Sequence, residues 1–456
     1  MMGGEGRDEI QRREEKTFSE RNPGSKSLYD RARAALPGGN TRTLTYYAPF
    51  PLYMARGEGP RLWDVDGNVR IDLFNNATSL AHGHAHPDVV RAVQDAAALG
   101  MAFASATEWE IRLAEMLIER LPSAERVRFC NSGTEANICA VRAMRAFTGR
   151  SKIAKFEGGY HGSFDDVTIS IHPSAEAAGD RRFPDPVPDS EGIPPEVVGN
   201  VVILPFNDIE AIAERLRPLR DEVAGILVEP LMGGAGMIPP KPDFLRDLRD
   251  LAHELKMLLM FDEVMMFRLS RSGAQGLFGV TPDLTSLGKI IGGGLPVGAL
   301  CGREDIMALF DPSEGGGGGT RVPHAGTFNA NPVTMAAGVA TLENLDDAAF
   351  EQLAFDGNYL RRNLKELIQS TGAAVQVTGE ASVFKIHFTM EDLVDSRSAH
   401  TSNRGLERLL FLYGLNRGVF TNTLSRGCLS TVTHQAEIDL FLEVVEGFLR
   451  EIANSA

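Results

Sequence analysis

Five short, largely apolar runs separated by helix-length stretches constrain this chain more than any other feature: VRFC at 127–130, KIAKF at 152–156, VVIL at 201–204, GILVE at 225–229 and MLLMFD at 257–262. A strand with one wet face alternates apolar and polar residues, whereas a strand buried on both faces reads as a nearly continuous apolar run. Between residues 85 and 310 these runs alternate with helical stretches, so the pattern predicts an α/β fold with a mostly parallel sheet covered on both faces. A chain of 456 residues, 43% of them apolar, has material for two or three domains around such a sheet.

The flanks read differently. Residues 1–36 are charge-rich, with Leu28, Ala32 and Leu36 at four-residue spacing, and Pro37-Gly38-Gly39 stops the pattern, which predicts a helical N-terminal arm. LYMARGEGPRLWDVDGNVRIDLF breaks at Gly59-Pro60 and Asp66-Gly67, the signature of a small β-meander. The five glycines 315–319 read as a mobile surface loop. Beyond Pro332 a long helical stretch leads into mixed elements, so the expected division is an arm and meander over 1–84, a large domain over 85–335 and a small α+β domain over 336–456.

Charge and cysteine usage narrow the function. The balance of 46 basic against 61 acidic residues, net −15, repels polyanions, so nucleic acid is not an expected partner. Cys130, Cys139, Cys301 and Cys428 form no CxxC pair, and the N-terminal MMGGEGRDEIQRREEK mixes charges where a signal peptide needs an apolar core. No apolar run approaches the ~20 residues that span a bilayer. A reducing cytoplasm, away from membranes, is the expected location.

Four segments carry chemistry. MLLMFDEV ends a buried run in Asp262, at the strand edge where open α/β sheets bind ligands; strand alternation sets Asp262 and Val264 on one side and Glu263 on the other. A helix cap or a surface ion pair is the plainer reading of the same acid. Lys289, in TSLGKIIGGGLPVGA, has no acidic neighbour in sequence, and a partly desolvated amine is a nucleophile toward carbonyls. A P-loop would need glycine where Asp283 stands.

Asn131-Ser132-Gly133-Thr134-Glu135 precedes a helical stretch, so Ser132, Gly133 and Thr134 offer either a phosphate cup or, with Glu135, a capping box, and the two can coexist. Tyr160 in GGYHG puts a ring in a turn at another strand end, where it could stack on a planar ligand. The run His82-Gly83-His84-Ala85-His86 lacks an acidic or cysteine cluster and runs into Pro87, a first helical residue, so no metal is expected. An amine-forming lysine, an acid, a phosphate cup and a stacking ring make up the requirement for pyridoxal phosphate. No GxGxxG lies between a strand and a helix, which sets aside a nicotinamide enzyme.

In chain order, NSGTEA, GYHG, FDEVM, LGKIIGGGLPVGA and GTFNANP resemble the class III aminotransferases of pyridoxal-phosphate fold type I, over about residues 25 to 450. The resemblance implies a mostly parallel seven-stranded sheet flanked by helices, with a smaller α+β domain built from both ends of the chain. It makes Lys289 the Schiff-base lysine and proton shuttle, Asp262 the partner of the pyridinium nitrogen, and Val264 the residue packed under the ring. It gives the phosphate to Ser132, Gly133 and Thr134, the stacking ring to Tyr160, and to Thr327 the phosphate of a neighbouring subunit, hence a homodimer with shared active sites.

Within the family the chain resembles the β-phenylalanine aminotransferases and the glutamate-1-semialdehyde aminomutases. Arg42, in PGGNTRTLTYYAPFPL, matches the arginine with which the former grip the substrate carboxylate. The spacing from Asp262 to Lys289 is also theirs, the aminomutases having one residue more. Arg426, in NTLSRGCLS, is a candidate for the second substrate's carboxylate, although a gap-free match puts the family arginine at Leu424. Tyr46, Tyr47, Phe50 and Met265 are candidate pocket walls. The expected reaction is ping-pong transfer from an amino acid, of the β-amino type, to a 2-oxo acid, with intramolecular aminomutase chemistry as the alternative.

Overall fold

The computed structural model describes residues 4–313 and 321–454, and the glycine run at 315–319 lies outside the described residues. The chain divides into two compact units, one of Met1–His86, Gln352–Met390 and Thr401–Ala456, the other of Pro87–Glu351 and Glu391–His400.

The first unit opens with the helices Gly4–Arg21 and Pro23–Ala32, then β1 (Met54–Glu58), β2 (Arg61–Asp64) and β3 (Val69–Asp72), an antiparallel meander turning at the two expected sites. After β3 the backbone makes a left-handed turn through Asn75, Asn76, Ala77 and Thr78, with φ of 48, 48, 57 and 70°. Left-handed residues other than glycine cost about 1–2 kcal/mol each, so the turn needs outside support. Asp72 Oδ1 accepts from Phe74 N at 2.8 Å and Asn75 N at 2.9 Å, and Asn75 Nδ2 donates to the Cys428 carbonyl at 2.9 Å. The other Asp72 oxygen bonds His84 Nε2 at 2.7 Å, and His82 Nδ1 bonds Thr431 Oγ1 at 2.8 Å, so these two members of the histidine run brace the unit.

The second unit carries a seven-stranded sheet of β4 (Arg126–Cys130), β5 (Lys152–Phe156), β6 (Val201–Leu204), β7 (Val223–Val228), β8 (Leu258–Asp262), β9 (Leu284–Gly288) and β10 (Gly298–Gly302), ordered β4-β10-β9-β8-β7-β5-β6. Only β10 runs against its neighbours, so the other six point the same way. Side chains sort with period two: Ala154, Phe156, Val202, Leu204, Leu259 and Phe261 join one apolar cluster, while Ile153, Val201, Ile203, Leu258 and Met260 join another. The second cluster includes Cys139, Ala140 and Met144 of the helix Gly133–Thr148. β9 and β10 are just as buried but read LTSLG and GALCG, and the Thr285 hydroxyl is satisfied internally by Ser123 Oγ at 2.8 Å and Gln275 Nε2 at 3.2 Å.

The chain completes the first unit with β11 (Gln376–Thr378), β12 (Val383–His387), β13 (Val419–Phe420) and β14 (Arg426–Cys428). β13 joins β3 in parallel, and β11-β12-β14 form a separate antiparallel sheet. Phe18, Tyr29, Phe50 and Phe411 build an aromatic core in which Phe50 is 2% exposed and lies 5.1 Å from Phe18, so Phe50 is packing and not a pocket wall.

Gly298 holds the ends of β10 and β4 together, because a Cβ there would fall 2.0 Å from the Ser132 carbonyl oxygen. Gly298→Ala is expected to cost about 1–3 kcal/mol, seen as a lower midpoint in thermal unfolding.

Candidate active site

Asp262 closes β8, in register with Ser286 of β9, and is 4% exposed. Its parity matches Leu258 and Met260, the face that carries the helix Gly133–Thr148. Asn137 of that helix donates Nδ2 to Asp262 Oδ2 at 2.8 Å, and His161 Nδ1 lies 2.9 Å from the same oxygen. Val264 N donates to Oδ1 at 3.1 Å. Burial alone would raise the Asp262 carboxyl, but the donors His161, Asn137 and Val264 N–H outweigh it and hold the group below the ordinary carboxylate range. The adjacent Glu263 goes the other way: burial pushes its carboxyl up to about 7 against hydrogen bonds from Gln275 and Ala274. Two neighbouring acids are thus driven apart, which leaves Asp262 as the fixed anion.

The strand stops at Asp262, so Val264 reaches its place through a turn and not by the strand alternation read from sequence. Its side chain sits between two glycines. A Cβ on Gly133 would lie 2.7 Å from Val264 Cγ2, and one on Gly288 3.2 Å from Val264 Cγ1. The ends of β4, β8 and β9 therefore converge on one valine. Gly288 leads into Lys289, which is half-buried and held at a left-handed φ of 53°.

Ser132 caps the helix Gly133–Thr148, its Oγ accepting from Glu135 N at 3.2 Å. Glu135 closes the box one residue further out than expected, Oε2 accepting from Asn131 N at 2.8 Å. Thr134 faces Gly162, where a Cβ would come 2.6 Å from Thr134 Oγ1. Tyr160 is 49% exposed, and its backbone N–H donates to Glu229 Oε1 at 2.8 Å, while Gly234 N–H donates to Oε2 at 3.1 Å. Glu229 thereby joins the turns that follow β5 and β7.

Ser132, Gly133, Thr134, Tyr160, Val264 and Lys289 follow strands, and Asp262 ends one, that point to one edge of the large sheet. Thr327 is exposed in a loop tethered to the segment that caps the helix Gly133–Thr148 by Asn131 Nδ2 donating to Asn329 Oδ1 at 2.8 Å. Arg42 and Arg426 belong to the first unit, Arg42 donating to Asn76 Oδ1 at 2.8 Å and Arg426 standing opposite Lys385 across β12 and β14. The sequence reading missed Asn137, His161 and Glu229. Two of them carried signals: His161 lies inside GYHG, and Glu229 ends the apolar run GILVE as Asp262 ends MLLMFD.

These residues fit pyridoxal phosphate. A buried anion suits a pyridinium nitrogen, a capped helix amino end with no side chain at Gly133 suits a phosphate, and a lysine at the same edge suits an aldehyde. The comparisons agree. The chain is 43% identical over 433 residues to the glutamate-1-semialdehyde 2,1-aminomutase of Methanothermobacter thermautotrophicus, covering 94% of this chain and 100% of that one. An ω-transaminase from Sphaerobacter thermophilus superposes with a TM-score of 0.91 at 45% identity, covering 95% and 99% of the two chains. A β-phenylalanine aminotransferase from Variovorax paradoxus superposes with a TM-score of 0.89 at 37% identity, covering 97% of each. Fold and site together define a transaminase that depends on pyridoxal phosphate. With the family model for class-III aminotransferases matching residues 45–444, the chain belongs to the class III aminotransferases.

The depressed Asp262 carboxyl fixes the sign of an acid effect. A lowered folded-state value means that the ionised form contributes stability above the ordinary carboxylate range and loses it as pH falls through the folded value. His161→Ala removes a donor, so burial gains ground and the Asp262 carboxyl rises. Cofactor release on acidification should then begin at a higher pH, followed by absorbance of the protein fraction after gel filtration at stepped pH. An unmoved acid limb would dissociate His161 from Asp262.

Proposed function

We propose that this transaminase takes the amino group of a β-amino acid with an apolar or aromatic side chain and passes it to a 2-oxo acid such as 2-oxoglutarate or pyruvate, in a ping-pong sequence. The reading draws on likeness to the Variovorax paradoxus enzyme over 97% of both chains, and the observation that carries it is the state of Arg42. Arg42 supports it: exposed, with one guanidinium nitrogen fixed on Asn76, it retains donors for a planar carboxylate. Arg426 is assigned to the carboxylate of the second substrate.

Pyridoxal phosphate supplies an aldehyde for the amine and a pyridinium that accepts the electron pair left by the departing proton. Lys289 Nζ would hold the cofactor's aldehyde and move the proton of the amine-bearing carbon. Asp262, held ionised by His161 and Asn137, would keep the ring nitrogen protonated, Val264 and Tyr160 would pack against the ring, and Ser132, Gly133 and Thr134 would hold the phosphate.

The protein acts as a homodimer in the cytoplasm, with Thr327 offered to a second copy's phosphate site. Leu99, Met101, Phe103 and Phe328 are 80%, 67%, 52% and 61% exposed in the single chain, and Asn331 Nδ2 donating to the Met101 carbonyl at 2.6 Å ties their two segments together. Such an apolar cluster calls for a cover. Light scattering should give twice the single-chain mass, and Phe328→Asp should lower both the mass and cofactor retention.

The alternative is intramolecular transfer of the aminomutase kind, favoured by the Methanothermobacter thermautotrophicus relative. One experiment separates the two. In the transaminase reading β-phenylalanine alone bleaches the visible band of the holoenzyme and a 2-oxo acid restores it, whereas turnover of glutamate-1-semialdehyde with no oxo acid present would establish the alternative. Lys289→Ala is expected to lose the lysine-dependent band and at least a thousand-fold in rate; a retained band would remove Lys289 from its role.

A further inference from the structure

The four-residue left-handed turn Asn75–Thr78 buries Asn75 and Thr78 and ties Asn75 to the Cys428 carbonyl of β14, but it leaves Asn76 exposed. Strain of this kind persists where surrounding contacts over-determine it, and it gathers at ligand-holding sites. Here the contacts are anchored on buried Asp72 and on the Cys428 carbonyl, and both act on Asn75 or its backbone. The next residue, Asn76, is exposed, at φ 48°, and its side chain turns outward to make two bonds: Nδ2 to Ser79 Oγ at 3.0 Å and Oδ1 from Arg42 Nη1 at 2.8 Å. The first bond fixes the amide so that oxygen, not nitrogen, faces the guanidinium.

Arg42 is prepared from its own side as well. The Arg42 carbonyl accepts from Thr45 N at 3.0 Å and Thr45 Oγ1 at 2.8 Å, which pins the backbone in the tight turn Thr43–Thr45. Among the described residues Asn76 is the only side chain that bonds the Arg42 guanidinium, and none of them forms an ion pair with it. A neutral acceptor restrains the head group without cancelling its charge. An acid at position 76 would hold the guanidinium equally well and neutralise it.

From this arrangement we infer that Asn76 is a positioning residue: the strained turn presents a neutral oxygen that orients Arg42, with its charge intact, toward the carboxylate of the amino donor. The inference rests on the reading that Arg42 binds that carboxylate. It makes selectivity for carboxylated over plain amines depend on residue 76 as well as on residue 42.

The test uses the holoenzyme with two donors that share an apolar group, β-phenylalanine and 1-phenylethylamine, and with 3-phenylpropanoate as a carboxylate that has no amine to transfer. Asn76→Gly suits the left-handed backbone and removes only the side chain; Asn76→Asp keeps the oxygen and adds a charge. Both are expected to lower the ratio of kcat/KM for β-phenylalanine to that for 1-phenylethylamine by ten-fold or more, chiefly through KM, and to weaken 3-phenylpropanoate binding in calorimetry by a similar factor. A purely structural role predicts the opposite pattern, with Asp restoring both melting temperature and selectivity. If Arg42→Ala weakens 3-phenylpropanoate while both Asn76 variants bind it like the wild type, the inference is overturned and the Arg42 reading stands. If Arg42→Ala changes nothing, or the wild type binds no 3-phenylpropanoate, the carboxylate reading falls and takes the inference with it.

Discussion

The buried negative charge of Asp262 is the constraint around which the large unit is arranged. A carboxylate taken out of water is destabilising unless donors replace its hydration. Three donors do so here, from three separate places: Asn137 on the helix after β4, His161 in the turn after β5, and the backbone N–H of Val264 just past β8. Each can reach Asp262 only if β4, β5 and β8 end at one edge of the sheet. The ionised state of one side chain and the parallel order of the strands are therefore two aspects of the same requirement. Glu263 shows what happens without that arrangement, its carboxyl pushed up to about 7 by burial although it too is hydrogen-bonded.

Glycine plays the complementary part. The ends of β4, β8, β9 and β10 approach so closely that Gly133 and Gly298 have no space for a Cβ, and one at Gly288 would be tight against Val264. Removing those side chains lets Val264 lie between two strand ends and lets the helix amino end at Ser132 sit beside the residue that precedes Lys289. Backbone packing thus brings the capped helix end at Ser132 and the strand end that leads into Lys289 together, and little is left to long flexible side chains. That rigidity suits a cofactor whose reactive carbon must stay in register with one amine.

Much of this was legible in the sequence, for definite reasons. VVIL and MLLMFD announced buried parallel strands because both faces of such a strand meet apolar clusters, and Asp262 stood out as the one charge at the end of its run. LTSLG and GALCG were not legible as strands, because their burial depends on hydroxyl groups that find partners only in three dimensions, as Thr285 does with Ser123 and Gln275. Asn137 and His161 were hidden for a related reason: an asparagine in a helix and a histidine in a turn acquire a role only when the fold brings Asp262 to them. Phe50 was misread because an aromatic residue near a glycine-rich turn looks the same in sequence whether it lines a pocket or, as here, packs on Phe18.

The large unit by itself says which cofactor is used and little about which amine. Relatives named as an aminomutase and as a β-phenylalanine aminotransferase differ in identity to this chain by only a few per cent, 43% against 37%, and an ω-transaminase stands at 45%. Overall likeness therefore cannot rank the reactions, since removing a proton beside an amine is common to all of them. What separates them is the anion each substrate presents and the cation that meets it. On the proposed reading that question falls on two cations of the first unit, Arg42, held by a neutral asparagine, and Arg426, which stands opposite Lys385. Because Asn76 is neutral, the guanidinium that it braces keeps its full charge, the condition under which an arginine attracts a carboxylate. On the proposal that Arg42 meets the donor's carboxylate, the choice of amino donor depends on the strained turn that holds it.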